Sequence, residues 1–205
     1  MTEPAIQLDR ESHTYTVDGK QWPGVTKILP SPIDTDAVPS GRIADAMLLG
    51  THVHLLIQYY LEDDLDESSV RDDLRPFLAA YQQFETQTGF RPRLVEQIVY
   101  SERYQVIGTL DLEGDLNRRA AVIDIKTGTR LSPVVQLQTA AYAGMLKECR
   151  GWRGRDRYAL QLRKDGTPRL SPVYRDPNDW LVFLNFAAVW KWCQQHKLTP
   201  PEMPE

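Results

Sequence analysis

Only two cysteines, Cys149 and Cys193, occur among the 205 residues. Two thiols furnish neither a disulfide framework nor a four-cysteine metal or iron–sulfur site, so the composition points to a reducing, cytoplasmic setting. No apolar run approaches the roughly 20 residues that cross a bilayer, so no membrane partner is expected. The N-terminus also lacks the basic-then-apolar pattern of a signal peptide. A positive excess is missing too: 28 acids outnumber 24 lysines and arginines, for a net charge of −4. Taken whole, that balance argues against a nucleic-acid partner. There is no internal repeat and no low-complexity tract. A chain of this length supports one domain with a substantial core, expected to span residues 1–205.

The charge is not spread evenly. Residues 62–73 hold seven acids (Glu62, Asp63, Asp64, Asp66, Glu67, Asp72, Asp73) against the single base Arg71, a run that reads as a solvated junction between helices. Residues 147–169 hold eight bases against three acids. With Trp152 and Tyr158 inside it, this second block has the makings of a surface that tracks a phosphate backbone. Solvated strand ends and loops produce the same pattern.

Hydrophobic periodicity predicts a mixed α/β fold. An N-terminal β-appendage over residues 1–35 is expected, with strands Ala5–Leu8, Thr14–Val17 and Lys20–Trp22 turning at Asp18-Gly19. Val25–Leu29 is a brief helical turn, and residues 31–40, rich in Pro, Asp and Ser, a loop. Helices follow over Ile43–Leu61 and Ser69–Thr88, the second stopped by Gly89. The period then changes to two, giving strands Leu94–Tyr100, Val106–Leu112 and Ala120–Lys126, the last two joined by a turn over Gly114–Arg119. A helix over Pro133–Lys147 has Pro in its first turn. Tyr158–Arg163 and Arg169–Tyr174 form a strand pair around Asp165-Gly166, and a helix over residues 177–197 closes the chain.

Chemistry concentrates between Gly108 and Tyr142. Gly108-Thr-Leu-Asp111 and Val122-Ile-Asp-Ile-Lys-Thr-Gly128 place two carboxylates and a lysine on adjacent strands. Gln136-Leu-Gln-Thr-Ala-Ala-Tyr142 follows on a helix. Side chains alternate along a strand, so Asp124 and Lys126 share a face roughly 7 Å apart, while Ile123 and Ile125 point into the core. Two carboxylates and an ammonium gathered in this way suit a divalent metal and a phosphate. Gln138 and Tyr142 lie one turn apart on the same helix face. Glu113 and Asp115 approach the expected turn, belong to no motif and are left out of the candidate site. His13 and His196 are read as surface residues.

The order helix–strand–strand–strand–helix–strand, with these motifs in it, resembles the PD-(D/E)XK nuclease superfamily, and within it the RecB-like branch of phage-type exonucleases and bacterial repair nucleases. The resemblance covers residues 13–146. It implies a restriction-endonuclease-like αβββαβ core over residues 41–175. The family's aspartate on the second core strand looks like Asp111, its (D/E)-x-K like Asp124-Ile-Lys126, and its Q-x-x-x-Y helix like Gln138 to Tyr142. Its helix histidine looks like His54 in Gly50-Thr-His-Val-His, and its first-strand glutamate like Glu96. Two features depart from the pattern: Gln58 stands where an acid often follows the histidine, and the four-cysteine iron–sulfur cluster of some relatives is absent.

This resemblance implies hydrolysis of DNA phosphodiesters by an exonuclease acting on linear duplex or single-stranded ends; the alternatives are a structure- or site-specific endonuclease of the same fold and a catalytically silent DNA-binding module. It also suggests a strand-annealing protein as a partner in phage recombination or repair. Charge building on the phosphorus and leaving oxygen calls for Mg²⁺, one or two ions. Asp111, Asp124 and the backbone carbonyl of Ile125 are expected as ligands, because Mg²⁺ takes oxygen donors and keeps several waters. His54 would add a nitrogen, which favours Mn²⁺ as a substitute. Lys126 would stabilise transition-state charge, Gln138 would hold it or the attacking water, and Glu96 completes the catalytic set. Tyr142, Arg130, Arg153 and Arg155 are the expected DNA contacts.

Overall fold

The computed structural model describes residues 4–9, 12–30 and 40–199. Three short antiparallel strands open the chain: β1 (Ile6–Asp9), β2 (Thr14–Val17) and β3 (Lys20–Trp22). Asp18 and Gly19, with φ of 47° and 76°, make the tight turn between the last two, as a two-residue hairpin requires. The helical turn α1 (Val25–Ile28) follows. Residues 31–39, the bulk of the expected loop, lie outside the described residues.

The helix α2 (Ser40–Leu61) starts three residues before the expected Ile43. The helix expected over 69–88 is in fact two elements. Asp66 accepts the Ser68 N–H (2.9 Å) and caps a 3₁₀ turn over Glu67–Ser69, and α3 (Arg75–Thr88) begins separately. The divider is Pro76, in the first turn of α3: its ring has no N–H and would break a helix interior but is tolerated at a start. Gly89 ends α3 at φ 63°, as expected.

Beyond it lie β4 (Arg91–Ser101), β5 (Val106–Leu116), β6 (Arg119–Lys126), α4 (Val134–Arg150), β7 (Asp156–Leu162), β8 (Pro168–Leu170) and α5 (Asn178–His196). The five strands form one mixed sheet in the order β4-β5-β6-β7-β8. Only β6 and β7 run parallel, with α4 as the crossover that a parallel pair needs. The αβββαβ order read from the sequence is therefore present as α3-β4-β5-β6-α4-β7.

Two boundaries differ from expectation. β5 continues to Leu116, leaving only Asn117 (φ 51°) and Arg118 (φ 64°) for the turn into β6. Glu113 and Asp115 are thus ladder residues rather than neighbours of the turn, and Glu113 is buried. Its carboxylate is neutralised by Arg93 (2.5 Å) and accepts the Trp152 indole N–H (2.8 Å). At the far edge, β8 is cut to three residues. Past it only single links to β7 remain, among them the Arg157–Tyr174 bridge.

The sheet carries a core on each face. Phe77, Tyr81 and Phe84 of α3 pack with Ile123, Ile125 and Leu160 on one side. Val25, Val122, Met145 and Phe183 from α1, β6, α4 and α5 pack on the other. The neighbours Val122 and Ile123 go to opposite sides, as the strand period demands. Close approach of α5 to α4 depends on Gly144, where an added Cβ would fall 2.7 Å from the Trp180 ring. The buried Arg157 guanidinium locks this face together: it donates to the Gln136 carbonyl (2.8 Å), the Asp176 carbonyl (3.1 Å) and the Asp179 carboxylate (2.7 Å).

Phe183 is fully buried and stacks on Trp180, whereas Trp192, on the same helix, is 55% exposed. Phe183→Ala is expected to cost about 3–5 kcal/mol and Trp192→Ala within about 0.5 kcal/mol in urea unfolding. Equal losses would mean that α5 is not seated on α4 by this face.

Candidate active site

The site forms where two paired strands part. The β5–β6 ladder runs from Leu116↔Arg119 to Leu112↔Ile123 and stops there. The next residues, Asp111 and Asp124, are not joined by it. The parting removes the β5 partner of the next β6 amide, and the Asp111 side chain takes over: its Oδ2 accepts the Ile125 N–H at 2.6 Å. One carboxylate oxygen therefore serves the backbone, and Oδ1 is left facing the cleft.

A second irregularity lies directly across from it. Between the β4–β5 pairs Val95↔Leu112 and Gln97↔Leu110, Glu96 and Asp111 face each other without ladder pairing. Glu96 has φ 45°, the left-handed region that costs a non-glycine residue on the order of 1 kcal/mol or more and that clusters at functional sites. Leu110 packs with the α1–α4–α5 core and Leu112 with the α2–α3 core. Strict alternation would put both on one side, so β5 turns over at Asp111. The distortion brings the Glu96 carboxylate to α2, where His54 Nδ1 donates to its Oε1 at 3.0 Å and lies 3.6 Å from Asp111 Oδ1. One donor atom from each of His54, Glu96 and Asp111 lies within 4.8 Å of the others.

Asp124 and Lys126 adjoin this group. They share a face of β6 as the strand period predicts, and Lys126 Nζ is 2.7 Å from Asp124 Oδ2. The approach has the distance of an ion pair without the angle of a hydrogen bond, so neither buried Asp124 oxygen receives a directed one. Lys126 Nζ does donate to Gln138 Oε1 (3.0 Å), and Gln138 Nε2 donates to the Tyr142 hydroxyl (3.1 Å). Helix α4 presents both at one turn's spacing, and β5 can lie under Tyr142 because position 108 is glycine. A Cβ there would come 2.9 Å from the tyrosine ring.

Burial makes these charges interact strongly. It pushes Asp124 up to about 6, an effect that Lys126 opposes and Asp111 reinforces. Burial likewise raises Asp111 against the pull of His54. It works against the His54 imidazolium and the Lys126 ammonium, but the facing carboxylates win. Asp111 and Glu96 lift His54 to about 9, and Asp124 and Asp111 raise Lys126. Three carboxylates thus face two cations, and one of them, Asp124, has both oxygens free of hydrogen bonds. A hard divalent cation fits such a set, oxygen-rich with one imidazole nitrogen.

Several expected roles shift in this geometry. The compact three-residue group contains Glu96, expected as a catalytic residue, while Asp124, expected among the ligands, stands beside it and is paired to Lys126. Ile125, whose carbonyl is an expected ligand, is tied to the site through its amide. Tyr142, expected as a DNA contact, is 4% exposed with its hydroxyl held by Gln138. Arg130 is exposed in the loop after β6. Arg153 and Arg155 lie in the α4–β7 connection, near the other end of the sheet.

Two residues missed in the sequence also shape the site. Gln161, paired to Lys126 across β6–β7, is buried and donates to the Gly128 carbonyl (2.5 Å), pinning the loop that carries Arg130. Tyr15 of the N-terminal sheet shares a hydrogen bond with Thr109 Oγ1 (2.9 Å), two residues before Asp111. A lone Gln on a strand and a Tyr in a distant hairpin carry no motif, so no sequence signal marked them.

In fold the chain is similar to a candidate exonuclease from Eubacterium rectale, with a TM-score of 0.52 and 14% identity over 77% of this chain and 70% of that one. An alkaline exonuclease from Laribacter hongkongensis, solved with dAMP, matches at a TM-score of 0.42 and 11% identity over 86% and 89%. No protein-family model and no curated protein matches the sequence. At these identities the likeness is one of fold.

The Asp124 carboxyl, ordinarily near 4 and here about 6, binds a proton in the folded chain where the unfolded chain has lost it. Stability therefore falls as pH rises through that window and stays reduced above it. Asp124→Asn imitates the protonated form. In EDTA the variant is expected to be more stable than the wild type at pH 8, by on the order of 2–3 kcal/mol, with the gain vanishing near pH 4. Urea unfolding at the two pH values measures it; no gain at pH 8 would show that the carboxylate is not desolvated.

Proposed function

We propose that this protein is a metal-dependent deoxyribonuclease of the PD-(D/E)XK superfamily, RecB-like branch, hydrolysing phosphodiester bonds from the ends of linear DNA. The observation that carries this reading is the convergence, where β5 and β6 part, of Asp111, Asp124 and Lys126 with His54 and Glu96. The exonuclease fold neighbour supports the scaffold. The chemistry is argued from the residues. Under this proposal residues 1–205 act as one nuclease unit, the N-terminal hairpins bracing Thr109 through Tyr15.

Asp111, Glu96 and His54 would hold Mg²⁺ or Mn²⁺ together with Asp124 and the Ile125 carbonyl. When bound, the ion would supply Lewis-acid stabilisation of charge on the phosphoryl oxygens and a more acidic water. His54 must release its proton to serve as a ligand. Lys126 is kept cationic by the two aspartates, so it acts by electrostatic stabilisation of the transition state and not as a base. Gln138 accepts from Lys126 and fixes where its remaining protons point, and Tyr142 fixes Gln138. Arg130, exposed just past Lys126, is placed to meet the phosphate of an incoming strand.

Linear and covalently closed duplex DNA, each incubated with Mg²⁺, Mn²⁺ or EDTA, test the proposal. The linear form is expected to be degraded with either metal, the closed circle to persist, and EDTA to stop the reaction. Lys126→Ala is expected to lower the rate by roughly 10²–10³ with an unchanged circular dichroism spectrum. Cutting of the circle would make the enzyme an endonuclease, and no digestion with either metal would overturn the nuclease reading.

A further inference from the structure

Away from the parted strands, beside the β5–β6 turn, the same sheet borders an open basin of about 610 Å³, within the range of ligand sites. Its charges are unequal in kind. Arg93 is neutralised by Glu113 and Asp115, and Arg175 by Asp156, with Arg119 3.8 Å from the same Asp156 carboxylate. Arg153 and Arg155, by contrast, have no hydrogen-bond or ion-pair partner among the described residues. Five guanidiniums face three carboxylates, and the surplus is these two.

The loop that bears them is built rather than loose. Gly151, at φ 67°, ends α4, and Trp152 then turns its indole N–H onto Glu113, itself clamped by Arg93. Gly154 lies so close to that indole that a Cβ would fall 2.2 Å from a ring carbon. Exposure alternates along residues 151–155, with Trp152 and Gly154 half-buried and Arg153 and Arg155 exposed. Two unpaired guanidiniums thus line the basin together with an indole held in place by hydrogen bonding and packing. Cations beside an aromatic wall suit a phosphodiester strand, whose phosphates meet the charge and whose bases or sugars meet the ring.

We propose that this basin is a second anchor for the nucleic-acid strand, separate from the reaction centre, with Arg153 and Arg155 each taking a phosphate and Trp152 the apolar contact. It rests on the nuclease reading only for the identity of the strand as substrate. The separation fits one molecule: from Asp124 to Ala120, which lines the basin, is four residues of β6, about 13 Å. At about 3.4 Å per nucleotide along one strand of a duplex, that is roughly four nucleotides, and fewer in a stretched single strand.

The test is binding without cleavage. Anisotropy of a fluorescent 20-nucleotide single strand is measured in EDTA as salt is raised, for the wild type, Arg153→Ala/Arg155→Ala, and Lys164→Ala/Arg169→Ala as a control that removes two charges at the β7–β8 hairpin. The basin variant is expected to bind roughly tenfold or more weakly, and to lower the slope of log K against log salt by about 1.4, the equivalent of two phosphate contacts at about 0.7 each. The control is expected to leave the slope unchanged. An unchanged slope in the basin variant, or an equal fall in both, overturns the anchor. Because the measurement needs no metal, loss of the slope without hydrolysis by the wild type would sink the nuclease reading and keep the anchor; hydrolysis with an unchanged slope would do the reverse.

Discussion

Everything distinctive in this molecule depends on one hydrogen bond, from the Ile125 amide to Asp111 Oδ2. Adjacent strands leave each other only if the freed backbone groups find partners, since an unpaired buried amide costs about as much as a lost hydrogen bond. Here a side-chain carboxylate substitutes for the missing ladder partner. The parting it permits opens a cleft inside an otherwise continuous sheet, and the same residue that closes the backbone account presents its second oxygen to that cleft. At position 111 one side chain thus both supports the backbone and faces the candidate site.

The cleft gathers charge that folding alone would reject. Asp124 is buried with no directed hydrogen bond, Asp111 is raised by burial, and Glu96 stands on a left-handed backbone. Each feature costs stability by itself, and the surrounding packing has to offset them. It is well placed to do so. The α3 aromatics seat one face of the sheet, Phe183 and Met145 the other, and the Arg157 network ties α4 to α5. Cores on both faces hold β5 and β6 rigid on either side of the gap, so the carboxylates cannot relax apart. A divalent cation would relieve that tension, which is why the site reads as built for one.

Much of this was legible before any coordinates. The two-residue period from Leu94 onward, Gly89 as a helix stop, the Asp18-Gly19 turn and the shared face of Asp124 and Lys126 all follow from local rules that act over a few residues. Where local signals compete, the reading slipped. Gly114 suggested a turn, but it is a glycine because the Arg91 carbonyl passes within reach of its missing Cβ, and the strand runs on to Leu116. Pro76, inside a stretch of helical periodicity, marks the true start of its helix. A helix position alone does not say how deeply Tyr142 is covered.

By itself the sequence determined on which elements the candidate site residues sit, because periodicity, caps and short motifs are properties of neighbouring residues. It also named Arg153 and Arg155, in a basic stretch, as DNA contacts, without telling which arginines beside them are already neutralised. Tertiary structure alone decided the rest. It set Glu96 against His54 through a backbone twist, left Asp124 without a directed hydrogen bond, enclosed Tyr142, and neutralised some arginines of the basin while leaving two free. Those outcomes depend on contacts between residues dozens of positions apart, such as the 42 that separate His54 from Glu96, and on how completely water is excluded between them.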